Sequence, residues 1–226
     1  LILAINTNCN VPSKIIDKLI NSINEVTPNI RFVDIYTSLE STGEQAEYAR
    51  SGLNYNKFVK NCYKILDNTP IKTRLHFMTT INLTSAPTFI NFLKLIKEMR
   101  KTYFEELHKF RIRTLLSYLR WPKSLQLNLL NKKDKKKYGD EWSQFIEENK
   151  LIAKEENPDE FLSRSFYTEE ADQIQRLVEY MNNSKEEKVV YDNMRLYIKQ
   201  CDERRNTDFN KTFPELTYLM DNNYYG

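Results

Sequence analysis

A serine, a glutamate and an arginine offer the clearest chemistry in this chain. Ser38 and Glu40 close the alternating stretch Phe32-Val-Asp-Ile-Tyr-Thr-Ser-Leu-Glu40, and Arg50 follows a glycine and a carboxylate-rich helix start. Strand, polar tip and helix in that order make half of a βα unit, and ligands of such units gather at the C-terminal strand tips. Each residue also has a plainer reading. Ser38 and Glu40 suit the cap of the following turn. Arg50 lies three residues after Glu47, the spacing of a surface ion pair worth roughly 0.2–0.5 kcal/mol.

Other reactive types are sparse. Cys9, Cys62 and Cys201 are odd in number and far apart, which argues against a disulfide framework and against a local zinc or cluster motif. They read as reduced thiols of a cytoplasmic protein. His76 sits inside a strand pattern and reads as a hydrogen-bonded core residue; His108, on a turn, is given no role. Trp121 and Trp142 read as packing anchors. The run Lys132-Lys-Asp-Lys-Lys-Lys137 is a solvated helix end, because a net charge of +3 gives no general case for nucleic acid. No apolar run approaches the ~18 residues of a membrane span, so no membrane partner is expected.

Positioning these residues requires a βα rhythm over residues 1–122. Leu1–Ile5 is an apolar strand ending in the polar tip Asn6-Thr-Asn8, and Pro12 and Ser13 open a helix with Ile15, Ile16, Leu19, Ile20 and Ile23 at helical spacing. Arg31–Leu39 is the next strand. Helix follows from about Glu44, breaks at Ser51-Gly52 and resumes from Asn54. Ile71–Ile81 is a third strand closing at Asn82, Pro87 marks a helix start, and Arg111–Leu119 is a fourth strand. Strands alternating with helices imply parallel βα units. Only four glycines and no glycine-rich phosphate turn favour an open or partial barrel over a dinucleotide fold. Residues 123–226 are more charged and helical: roughly Lys133–Glu155, Thr168–Asn183 and Ser184–Arg205, with a short piece at Pro214–Met220. Thr168 and Ser184 look like helix caps, and the tail is expected to cover the βα part.

Strand parity assigns faces. Phe32, Asp34, Tyr36, Ser38 and Glu40 share one face, and the apolar set Val33, Ile35, Thr37 and Leu39 should meet the helices. In the third strand Arg74, His76, Met78, Thr80 and Asn82 form the polar set, so two neighbouring strands offer polar groups to one lumen. The fourth strand mixes both characters.

In this order the motifs resemble those of radical S-adenosylmethionine enzymes. Asn6-Thr-Asn8 resembles the Thr-Asn tip of their third strand, Ser38-Leu-Glu40 the Ser-x-Asp/Glu tip of the fourth, and Phe77-Met-Thr-Thr-Ile-Asn82 the fifth strand with its Asn turn. Tyr118-Leu-Arg-Trp-Pro122 and the segment Asp202–Pro214 look like parts of the twitch-type subgroup of bacteria and phages. The resemblance implies an α/β fold: the C-terminal part of a partial (βα)6 barrel over residues 1–122, with about four parallel strands, then a twitch-like helical extension over 123–226. It implies a cofactor, S-adenosylmethionine, on a 4Fe–4S cluster, an electron donor as partner, and hydrogen abstraction from an unknown substrate, a peptide among the candidates. Ser38 would bond a ribose or carboxylate oxygen, Glu40 ribose hydroxyls or the amino group, and Arg50 the carboxylate. Asn6, Asn8, Thr80 and Asn82 would line the mouth.

The chain departs from that pattern in lacking the Cys-x3-Cys-x2-Cys loop that holds the cluster. Together with a first residue that is not Met, this reads as a fragment whose cluster ligands lie upstream, inactive alone and poorly soluble through the exposed strand Leu1–Ile5. With only Cys201 beyond the fourth strand, no second cluster is expected. The alternative is a non-catalytic βα scaffold that binds a partner protein through its helical extension.

Overall fold

The computed structural model describes residues 1–106, 109–151, 164–182 and 186–226. Along the chain run β1 (Ile2–Asn6), α1 (Ser13–Val26), β2 (Phe32–Ser38), α2 (Gly43–Ala49), α3 (Tyr55–Asn68), β3 (Thr73–Ile81), α4 (Phe89–Thr102), a short antiparallel pair β4 (Phe104–Glu106) and β5 (Lys109–Phe110), and β6 (Ile112–Tyr118). Strands β1, β2, β3 and β6 form one parallel sheet in that spatial order. Each main strand therefore lies beside its predecessor, as expected when successive βα crossovers keep one hand. The pair β4–β5 was not foreseen from the pattern, and His108 lies outside the described residues.

The two faces of the sheet differ as strand parity requires. Val33, Ile35 and Thr37 of β2, Leu75, Phe77 and Thr79 of β3, and Ile112, Thr114 and Leu116 of β6 are buried. Phe77 meets Phe58 of α3 and Phe92 of α4 at 6.4 and 5.9 Å between ring centroids. Ile16, Ile20 and Ile23 of α1 join the same core, while Ile15 stays 42% exposed. Fully burying each such side chain stabilises the fold by roughly 1.5–3 kcal/mol. On the other face Asp34 lies beside Arg74, Tyr36 beside His76, and His76 beside Arg113. Met78 and Leu115 remain exposed there. The fourth strand, ambiguous as sequence, thus turns Ile112, Thr114 and Leu116 inward because α4 covers only that side.

Strand ends are shorter than the apolar pattern suggests. Ile71, read as a strand start, is exposed in a turn. The restart at Asn54 is a true cap, its Oδ1 accepting the Lys57 N–H at 2.8 Å.

The tail comprises α5 (Lys132–Asn149), α6 (Thr168–Asn182), α7 (Lys188–Arg205), α8 (Phe209–Thr212) and a 3-10 segment, Pro214–Met220. The first tail helix does not run on to Glu155 as expected: it ends at Asn149, where Lys150 turns extended and bridges to Phe166, while the helix end at Asn183 and the cap at Ser184 fall outside the described residues. α5 packs on α4 through Trp142 against Phe89, centroids 5.0 Å apart. α6 lies along the edge of β6: the N–H groups of Thr114 and Leu116 donate to Glu170 Oε1 and Gln173 Oε1 at 3.2 and 3.1 Å. An open sheet edge is thereby sealed by side chains three apart on one helix face. Among the described residues the cover accordingly sits on the β6 edge and the outer helices, not across the polar face.

Fully buried Arg100 of α4 joins these layers. Its guanidinium forks onto Glu170 at 2.6 and 2.7 Å and donates to the carbonyls of Ser165 and Ile112. Glu170 also accepts the Tyr167 N–H at 3.0 Å, the reach-back half of a capping box. Trp142 is buried as anticipated. Trp121 is not the packing anchor expected of it, being 76% exposed where the chain leaves β6.

Candidate functional site: a cleft at the strand tips

Beyond the C-terminal ends of β1 and β2 opens a cleft of about 550 Å³. Asn6, Asn8, Ser38 and Arg50 line it, as expected of them, and Asn10, Gly52 and Met78 are among the other residues of its wall. The volume lies within the roughly 300–1,000 Å³ usual for small-molecule sites. Tyr36 also lines it, its ring stacked on His76 at 4.6 Å and 24°.

The loops around the cleft are tied to one another. The Thr7 N–H donates to the Tyr36 carbonyl at 2.9 Å, extending the β1–β2 ladder by a residue. Cys9 then adopts a left-handed φ of 50°, which turns the chain away from the sheet. Buried Asn61 of α3 holds that turn by donating to the carbonyls of Cys9 and Val11 at 2.8 and 3.0 Å. Asn10 bridges to the α2–α3 turn: its Nδ2 donates to the Gly52 carbonyl at 2.6 Å, and its Oδ1 accepts the Asn54 N–H at 3.1 Å. Sequence reading passed over Asn10 and Asn61, because their partners lie more than 40 residues away.

Arg50 pairs with Glu40, not with Glu47. Its Nε and Nη2 donate to Glu40 Oε2 at 3.1 and 2.5 Å, while Glu47 accepts the Tyr55 N–H at 2.7 Å. Glu40 is only 5% exposed and stands behind Arg50, outside the cleft wall. Burial raises its carboxyl pKa, against the opposing charge and hydrogen bonds of Arg50. Glu40 therefore orients the guanidinium through Nε and Nη2, and neither Arg50 Nη1 nor the Ser38 hydroxyl makes a hydrogen bond among the described residues.

Thr80 and Asn82 do not line this cleft. Thr80 is exposed on the polar sheet face. Asn82 is engaged in its own loop, its Oδ1 accepting the Thr84 N–H and hydroxyl at 2.9 and 2.8 Å. Both residues belong to β3 and its turn, one strand beyond the β1–β2 gap.

The polar face below the cleft holds Asp34, gripped by Arg74 Nε and Nη2 at 2.7 and 2.9 Å and lying 3.1 Å from His76 Nε2. Burial would raise the Asp34 pKa, but the hydrogen bonds of Arg74 and His76 outweigh it and hold the carboxyl below its ordinary value. Burial, aided by Arg74 and Arg113, lowers the His76 pKa although Asp34 pulls the other way. At neutral pH His76 is thus an uncharged imidazole.

The cysteines do not fit a 4Fe–4S cluster. A hydrogen bond from Cys62 holds the Cys9 thiol below its ordinary pKa against burial, and burial pushes Cys62 well up. Both are buried side by side under the β1 tip, while Cys201 is buried on α7. Among the described residues no three His, Cys, Asp or Glu side chains are grouped to hold a metal ion, and no helix is long and apolar enough to cross a membrane.

Comparison of the chain with protein-family models, with curated proteins and with solved structures found no match.

Proposed function

We propose that the strand-tip cleft binds a nucleoside bearing an amino-acid group, S-adenosylmethionine by class, and that the chain is the C-terminal part of a partial radical S-adenosylmethionine barrel. One observation carries this reading. A hydroxyl, a half-engaged guanidinium and asparagine side chains converge at the tips of adjacent parallel strands whose helices, among the described residues, cover one face alone. Sequential strand order with one covered face is what a barrel segment requires, the polar face then being the lumen. When bound to a suitable iron–sulfur cluster, such a cofactor supplies an organic radical that abstracts hydrogen. The described residues offer no cluster ligands, so no step is assigned to this chain beyond binding and orientation. Arg50 Nη1 would take the ligand carboxylate and Ser38 a hydroxyl or carboxylate oxygen, with Tyr36 lining the same cleft.

Titration calorimetry with S-adenosylmethionine and with 5′-deoxyadenosine tests the reading. Arg50→Lys, which keeps the charge but loses the fork, should weaken the former about tenfold, near 1.4 kcal/mol, and leave the latter within twofold. Ser38→Ala should weaken one or both by roughly 3–10-fold. No binding by the wild type, or equal binding by both variants, would overturn the assignment.

One observation favours the second reading, a scaffold that binds a protein through its helical extension. Trp121, Val190, Leu196 and Tyr197 line a groove of about 370 Å³ beside α7, with Trp121 and Leu196 76% and 55% exposed. If the cleft binds neither adenosyl compound, Leu196→Glu is the substitution that should abolish partner binding.

A further inference from the structure

The β6 edge carries a third pocket, of about 220 Å³, between β6 and α6. Its polar lining is Ser117, Arg120, Gln173 and Arg176, and no carboxylate belongs to it. Gln173, Arg176, Leu177 and Tyr180 recur at i, i+3, i+4 and i+7, so one face of α6 builds the wall.

Two of the donors of this pocket, Arg120 and Gln173, have neighbours that fix them, while Arg176 reaches solvent. Arg120 lies over the Tyr118 ring at 5.5 Å, and Tyr118 stacks on Tyr180 of α6 at 4.0 Å and 16°. The backbone there is fixed as well, since the Leu119 N–H donates to the Ile81 carbonyl at 2.9 Å and the Arg120 carbonyl accepts Gln126 Nε2 at 2.6 Å. Gln173 Oε1 is occupied by the Leu116 N–H, which leaves its amide nitrogen as a donor. Arg176 has Asp172 and Glu179 on its own helix at ion-pair spacing and pairs with neither, and Arg120 has no ion pair among the described residues. Two solvent-exposed guanidinium groups without a carboxylate partner among the described residues, and one amide, thus line the same small cavity.

We propose that this pocket binds the phosphate group of a small molecule, held by Arg120, Arg176 and the Gln173 amide. A tetrahedral dianion presents several oxygens in different directions and balances two guanidinium charges, which one carboxylate does not. The pocket lies at the C-terminal end of β6, the same end of the sheet as the β1–β2 cleft. The site stands whether or not that cleft takes an adenosyl compound.

Inorganic phosphate is the probe, titrated into the whole chain by calorimetry against sodium chloride of matched ionic strength. Saturable binding by the wild type is expected, weakened at least tenfold in the double variant Arg120→Ala/Arg176→Ala. Gln173→Glu keeps the acceptor for Leu116 and places a negative charge in the pocket. It should weaken phosphate equally at unchanged Tm, a result that a purely structural role for Gln173 does not give. Arg204→Ala, an exposed arginine of α7, should bind phosphate within twofold of wild type. Absence of saturable binding in the wild type, or binding that survives the double variant, would overturn the proposal.

Discussion

Glu170 gathers more hydrogen bonds than its place in a first helical turn suggests. Arg100 forks onto it, and Thr114 and Tyr167 donate to it from β6 and the α6 start. Burial alone would raise its pKa; the Arg100 charge and these bonds outweigh that and bring it below the ordinary carboxylate value. A depressed folded pKa contributes stability that is present above the unfolded value of 4.5 and lost as pH falls through the folded one. Glu170→Ala strands a buried guanidinium and should cost about 3–5 kcal/mol by urea denaturation at pH 7. His76 has the opposite chemistry and the same direction. Its folded imidazole takes up a proton at lower pH than the unfolded one, so stability falls as pH drops below 6.5. NMR titration should place the His76 midpoint below 6.5, with His108→Gln, the only other histidine removed, giving the assignment. A midpoint above 6.5 would mean that Asp34 dominates over burial. The acidic helix start at Glu170 was readable in the sequence; its partner Arg100, 70 residues away, was not.

The elements around the cleft show how local signals were read and where they stopped. Ser51-Gly52 was expected to break the helix, and Gly52 does so with φ at +82° and open space where a Cβ would stand. Gly52→Ala should therefore cost only the backbone term, about 1–2 kcal/mol, read from denaturant midpoints. Asn54→Ala should cost about 1 kcal/mol through loss of the α3 cap. Both turn chemistry and cap are local and therefore legible. The Glu40–Arg50 pair was not, because helix spacing pointed Arg50 at Glu47, and only the α2–α3 turn brings it back over the β2 tip. The β6 edge follows the same rule. Gln173 was an unremarked surface residue as sequence, yet it caps the Leu116 N–H, and Gln173→Ala should speed amide exchange at Leu116 while leaving that of Leu75, inside the ladder, slow.

At the scale of the molecule the two sheet edges are unlike. β6 is sealed by α6, whereas on β1 Leu1, Ile2 and Leu3 are 90%, 50% and 36% exposed. A flat apolar edge with free backbone groups is a template for pairing, and the chain should self-associate through it. Ile2→Lys should shift sedimentation profiles toward monomer, and unchanged profiles would exclude this edge as the contact. The sequence by itself determined the alternation of strands and helices, the inward and outward faces of β2 and β3, and the polar tips at Asn6–Asn8 and Ser38. Those follow from periods of two and about 3.6 residues and from turn chemistry, which act over short stretches of chain. Only the tertiary structure decided that Arg50 turns to Glu40, that Thr80 and Asn82 stand apart from the cleft, that Trp121 faces solvent, and that Arg120 and Arg176 share a pocket. Each depends on which strands and helices become neighbours across 10 to 60 residues, and spacing along one element carries no record of that.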